Sequence, residues 1–126
     1  MAEATIDTVV IFTSRMEELA AFYCQGLGLS DAQPTGVDHV GLRVGEVYLG
    51  FDRVKEAGER GTEGPARGVS LWFRVENLEA CVKRFVELGA RVRYEKKEMP
   101  WGDVLASLYD LDGNIFGLAK RKIERG

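Results

Sequence analysis

Residues 100–120, Pro100 to Lys120, read PWGDVLASLYDLDGNIFGLAK. Val104, Ala106 and Leu108 alternate with Leu105, Ser107 and Tyr109, which predicts a strand with two distinct faces. The next five residues, Asp110-Leu111-Asp112-Gly113-Asn114, form a turn signal. Gly and Asn tolerate positive φ, and Asp side chains bond nearby backbone. Ile115 to Ala119 then returns as a second strand. The stretch is therefore a hairpin, and the rest of the chain is organised around it.

Working outward, the same signals recur. Ile6 to Thr13 is a β-branched strand. Ser14 with Glu17 three residues on is a capping box, opening a helix from about Arg15 to Gln25. Met16, Leu19, Ala20, Phe22 and Tyr23 give that helix its apolar side, and Gly26 and Gly28 end it. Asp31 to Gly36 reads as a loop. Val37 to Val44 and Val47 to Arg53 are strands joined by Gly45-Glu46, a two-residue hairpin. Counting outward from Val44 opposite Val47 sets Arg43 opposite Tyr48, Gly41 opposite Gly50 and His39 opposite Asp52. The other face carries Val40, Leu42, Val44, Val47, Leu49 and Phe51, as in an antiparallel sheet covered on one side. Lys55 to Arg67 is a polar, glycine-rich linker. Gly68 to Val75 is a strand, Asn77 caps a helix from Leu78 to Leu88, and Arg91 to Glu95 is a strand. Lys96 to Glu98 is a solvated edge or loop.

The chain is an internal repeat. At an offset of about 62, Ile11 maps to Phe73, Met16 to Leu78, Leu19 to Cys81 and Tyr23 to Phe85. Such self-similarity implies two copies of one βαβββ unit. The expectation is an α+β fold in one domain spanning residues 1–126. Module 1 covers about 5–53, the linker about 54–67 and module 2 about 68–122. Together the modules are expected to form a curved, open, mixed sheet.

Composition narrows the partners. With 126 residues the chain can bury a core. A net charge of −3 and no basic face exclude nucleic acid as the expected partner. No apolar run approaches the roughly 20 residues that span a bilayer. The N-terminal MAEATID has no secretory pattern, so the cytoplasm is the expected compartment. Cys24 and Cys81, both on predicted helices, read as reduced, inert thiols.

The order Ala21-Phe22-Tyr23, Gly26-Leu27-Gly28-Leu29, Leu88-Gly89-Ala90, Pro100-Trp101-Gly102 and Asp110-Leu111-Asp112-Gly113-Asn114 resembles the vicinal oxygen chelate superfamily. That superfamily comprises the glyoxalases, extradiol dioxygenases and bleomycin-resistance proteins. Leu111 stands where the family usually has proline. The resemblance implies paired βαβββ modules around a cleft, with a divalent metal held in its enzymes by His or Glu at four strand positions. Carried onto this chain, those positions are Thr8, Gly50, Ser70 and Gly117. None offers imidazole, carboxylate or thiolate, the donors that Zn, Ni, Mn and Fe sites use. The expectation is no metal and no cofactor.

Strand parity lines the expected trough with Phe12, His39, Arg43, Tyr48, Trp72, Arg74 and Tyr109 as ligand contacts, and Trp101 folds over one mouth. The aromatics can stack on a planar ligand, or they fill the cleft or a dimer interface. Gly41, Gly50 and Gly117 read as a bare floor for a flat ligand, unless a Trp or Tyr covers them. His39 and Asp52 are the candidate catalytic pair, a base and its orienting carboxylate, or a plain cross-strand polar pair. Two arginines against one aspartate favour a partly anionic aromatic.

The resemblance to the bleomycin-resistance type implies a homodimer that sequesters a small molecule, an antibiotic among the candidates. The alternative is a glyoxalase- or dioxygenase-like lyase or oxidoreductase with a divergent site. A third is a regulatory module whose trough is packed shut.

Overall fold

The computed structural model describes residues 5–30, 32–54 and 69–122. The stretch read as a linker, 55–67, lies outside the described residues. The elements run β1 (Thr8–Thr13), α1 (Met16–Gly26), β2 (Gln33–Gly36), β3 (His39–Val44), β4 (Val47–Arg53), β5 (Leu71–Arg74), α2 (Leu78–Glu87), β6 (Arg91–Glu98), β7 (Val104–Tyr109) and β8 (Ile115–Lys120). They make two open four-stranded sheets of the same order, β1-β4-β3-β2 and β5-β8-β7-β6. In each, the first strand runs parallel to the last and the other pairs are antiparallel. This is the expected α+β repeat of a βαβββ unit. The chain divides into two compact units, Met1–Gln25 with Leu29–Glu63, and Gly26–Gly28 with Gly64–Gly126.

In the first unit, Met16, Leu19, Ala20, Phe22 and Tyr23 of α1 are buried, as are Val40, Leu42, Leu49 and Phe51 of the sheet. Tyr23 stacks on Phe51 at 5.9 Å between centroids. Each such side chain contributes roughly 1.5–3 kcal/mol by leaving water. The helix entry differs from the expected capping box. The buried Thr13 hydroxyl accepts from Arg15 N–H at 3.0 Å. The Glu17 carboxylate is held instead by the Arg53 guanidinium, which also pairs with Asp38 at 3.1 Å. A two-point guanidinium partner outcompetes one backbone N–H for a carboxylate.

One loop reading is corrected. Residues 33–36, expected to be loop, form β2, the last strand of its sheet. Pro34 has no N–H to donate, which an edge strand tolerates. Lys96–Glu98 belongs to β6, also an edge strand, where charges discourage pairing with another chain.

In the second unit, the Asn77 side chain accepts from Ala80 N–H at 3.1 Å and starts α2. Leu78, Cys81 and Phe85 of α2 are buried, as are Phe73, Ala106, Leu108, Phe116 and Leu118. Phe85 meets Phe116 edge-on at 4.8 Å. The β7–β8 turn forms as its sequence implies. Asp110 Oδ1 accepts from the backbone N–H of Asp112 and of Asn114, each at 2.9 Å. Its Oδ2 accepts from the Asn114 amide at 3.1 Å. Gly113, at φ +86°, takes the left-handed position.

Candidate functional site

On the first unit, the face away from α1 holds rows set by register. Phe12, Asp52 and His39 share one row, Val10, Gly50 and Gly41 the next, and Thr8, Tyr48 and Arg43 the third. The cross-strand partners His39–Asp52, Gly41–Gly50 and Arg43–Tyr48 are those read from the sequence. Side-chain geometry adds a partner the reading missed. His39 Nδ1 pairs with Asp52 Oδ1, and His39 Nε2 lies 2.7 Å from the Tyr48 hydroxyl. A carboxylate only accepts, so Nδ1 carries the proton facing Asp52. Nε2 of the neutral ring then accepts from the Tyr48 O–H. The His39 and Tyr48 rings stack at 5.8 Å, and the Arg43 guanidinium lies 5.7 Å from the Tyr48 ring centre. Imidazole and carboxylate remain 29% and 36% exposed, so a ligand can reach them.

The glycine floor of this unit is not bare. A Cβ at Gly41 would overlap the Tyr48 hydroxyl and ring, and one at Gly50 would lie 2.7 Å from His39 Cε1. The two glycines make room for an Asp52–His39–Tyr48 chain lying flat on the sheet. Tyr48 reaches His39 diagonally across the strand pair, over the missing side chain of Gly41.

The second unit repeats the arrangement with different chemistry. Trp72 is registered with Gly117, which is registered with Ser107. Arg74, Ala119 and Leu105 form the adjacent row, and Ile115 pairs with Tyr109. The Trp72 indole covers Gly117, where a Cβ would collide with the ring. Its Nε1–H donates to Ser70 Oγ at 2.9 Å, which holds the ring's orientation, and the side chain remains 38% exposed. Trp101 is exposed and donates its Nε1–H to Asp103 Oδ2 at 3.1 Å. Asp103 also accepts from Lys122 N–H at 2.8 Å and from Arg121 at 2.9 Å. The Lys122 amide, then the Arg121 guanidinium, hold its carboxyl below the usual range.

The four family metal positions do not fit a divalent cation. Thr8 donates its hydroxyl to Asp7 at 2.7 Å, Ser70 accepts from Trp72, and Gly50 and Gly117 are roofed by His39 and Trp72. Among the described residues no three His, Cys, Asp or Glu side chains cluster as metal ligands. Cys24 and Cys81 are buried free thiols, and burial pushes the Cys81 thiol up.

The model of a family described as a glyoxalase-like domain matches residues 6–119. The chain belongs to the glyoxalase-like domain family. Solved structures agree on the fold of this glyoxalase-like chain. A glyoxalase/bleomycin resistance protein/dioxygenase family enzyme from Burkholderia phytofirmans PsJN is 24% identical, with a TM-score of 0.76 over 93% of this chain and 98% of that one. A glyoxalase-related enzyme from Fulvimarina pelagi is 18% identical, with a TM-score of 0.77 over 93% and 88%. A lactoylglutathione lyase from Agrobacterium tumefaciens is 18% identical, with a TM-score of 0.71 over 94% and 95%. No curated protein matches the sequence. Among the described residues no helix is long and apolar enough to cross a membrane.

Proposed function

We propose that this glyoxalase-like protein is a metal-free small-molecule binder of the bleomycin-resistance type, holding a planar aromatic ligand, an antibiotic among the candidates. The observation that carries this reading is the Trp72 indole. It lies across Gly117 with its N–H on Ser70, so one aromatic ring spans two of the four positions where family enzymes keep metal ligands. A half-exposed ring of fixed orientation is a stacking platform, adding about 0.5–1.5 kcal/mol per aromatic pair beyond the buried area. A cytoplasmic homodimer is the expected assembly, on the bleomycin-resistance resemblance. Equilibrium dialysis of the protein against aromatic metabolites and antibiotics is expected to find a ligand that Trp72→Ala binds about tenfold more weakly. Equal retention by Trp72→Ala would overturn the reading.

A second reading has its own observation, the Asp52–His39–Tyr48 hydrogen-bond chain. It is suited to acid–base work at the phenol: Tyr48 gives its proton to a ligand oxygen, or passes one to His39, while Asp52 holds the ring's tautomer. This favours an enzyme with a divergent site. If the ligand found above is converted, His39→Ala should lower turnover by about 10²-fold or more while binding persists. Unchanged turnover would remove the chain from the chemistry.

A further inference from the structure

Strand β6 departs from simple alternation. Its register against β7 shifts between Val92 and Tyr94 and again between Tyr94 and Lys97. A bulge sets two residues of one strand against one of its partner and re-aims their side chains. Alternation from Arg91, registered with Tyr109, already puts Arg93 on the face that carries Trp72, and the bulge brings Tyr94 there beside it. Arg91 lies over the Tyr109 ring at 4.7 Å. Arg93 Nη1 donates to Ser107 Oγ at 3.3 Å and its guanidinium lies 5.4 Å from the Tyr94 ring centre. Lys97 Nζ lies 5.7 Å from the same ring, and Tyr94 is registered with Ser107.

Charge on this face is one-signed. Arg74, on β5, is registered with Ala119, Ala119 with Leu105, and Leu105 with Lys97. Arg74, Arg91, Arg93 and Lys97 form no ion pair among the described residues. Arg93 is tied to the platform's row through Ser107. Its partner Ser107 is fully buried and is the register neighbour of Gly117, the residue the indole covers. Adjacent strands lie about 4.8 Å apart, so the residue that holds the guanidinium is one strand spacing from the glycine under the indole. Ser107 spends its one proton on Phe116 O at 3.0 Å, so it must accept from Arg93. That bond fixes one edge of the guanidinium and leaves its other N–H donors for a ligand.

We propose that the second unit's sheet face is an aromatic-carboxylate site, with the ring of the ligand on Trp72 and its carboxylate on Arg93. This rests on the platform reading of Trp72 and deepens it by naming the ligand class. The guanidinium fork matches a carboxylate with two parallel N–H donors, and the neighbouring cations lower the potential for an anion without contacting it.

The test compares two probes of equal shape, 2-naphthoate and neutral 2-naphthamide, by equilibrium dialysis at low and high salt. Wild type is expected to prefer the naphthoate by roughly tenfold, and added salt should shrink the preference. Arg93→Gln should abolish the preference by weakening naphthoate binding far more than naphthamide binding, while Arg93→Lys restores part of it. Equal binding of the two probes by wild type overturns the carboxylate site and leaves the platform standing. So does a preference that survives in Arg93→Gln. Failure of both probes to bind, with Trp72→Ala no different, overturns the platform and the carboxylate site together.

Discussion

Truncating Phe85 to alanine is expected to lower the unfolding free energy by about 4 kcal/mol, within the roughly 3–5 kcal/mol typical of buried phenylalanine. The ring is fully buried and meets Phe116 edge-on. It also lies where a Cβ of Gly26 would have to be. Removing it loses the transfer free energy of the ring and the edge-to-face contact, and opens a void that cannot fully collapse. Against a typical domain stability of roughly 5–15 kcal/mol, that is about a quarter or more. Phe85→Leu, which keeps most of the volume, should cost less than about 1.5 kcal/mol. Urea titrations followed by far-ultraviolet circular dichroism measure both. A loss below about 1.5 kcal/mol in Phe85→Ala would mean that the ring is not packed as described.

Asp110→Ala is the second large effect, about 3 kcal/mol. Asp110 is buried and accepts from two turn amides and the Asn114 side chain. Hydrogen bonds to a charged acceptor contribute roughly 1.5–3 kcal/mol, and stranding buried donors adds their desolvation cost. Asp110→Asn keeps one oxygen for the two amides but turns a donor towards the Asn114 amide, so a loss of about 1 kcal/mol is expected. The urea midpoint should fall with its slope unchanged. A midpoint within error of wild type in Asp110→Ala would show that the turn's geometry comes from Gly113 and its neighbours without the carboxylate.

The hairpins were legible to the residue. A two-residue loop pins register, so the pairing of His39 with Asp52 and of Gly41 with Gly50 could be counted outward from Gly45-Glu46. The repeat was legible because both copies bury the same helix positions. The site was legible only in part. Glycine in a strand announces a missing Cβ but not what fills the space, so Gly41, Gly50 and Gly117 read either as open floor or as floor covered by a Trp or Tyr, and the structure covers them with Tyr48, His39 and Trp72. Arg93 was missed because five residues, 99–103, join β6 to β7 and do not pin their register as a two-residue turn does.

Gly26 shows the division most plainly. In the sequence it reads as a helix stop beside Gly28. Gly28 does take the left-handed stop, at φ +72°, whereas Gly26 is still helical and is glycine because the Phe85 ring occupies its side-chain space. What the sequence by itself determined is local or periodic: elements, the β3–β4 hairpin register and the repeated βαβββ unit. Those follow from alternation, turn chemistry and residue type, which act over a few neighbours. Which side chain lies over which glycine, that Tyr48 completes a chain with His39 and Asp52, and that Arg93 bonds Ser107, the register neighbour of the glycine under Trp72, were decided by tertiary structure. They depend on rotamers and bulges, where a rotation about one bond or one extra residue moves a functional group by several ångströms.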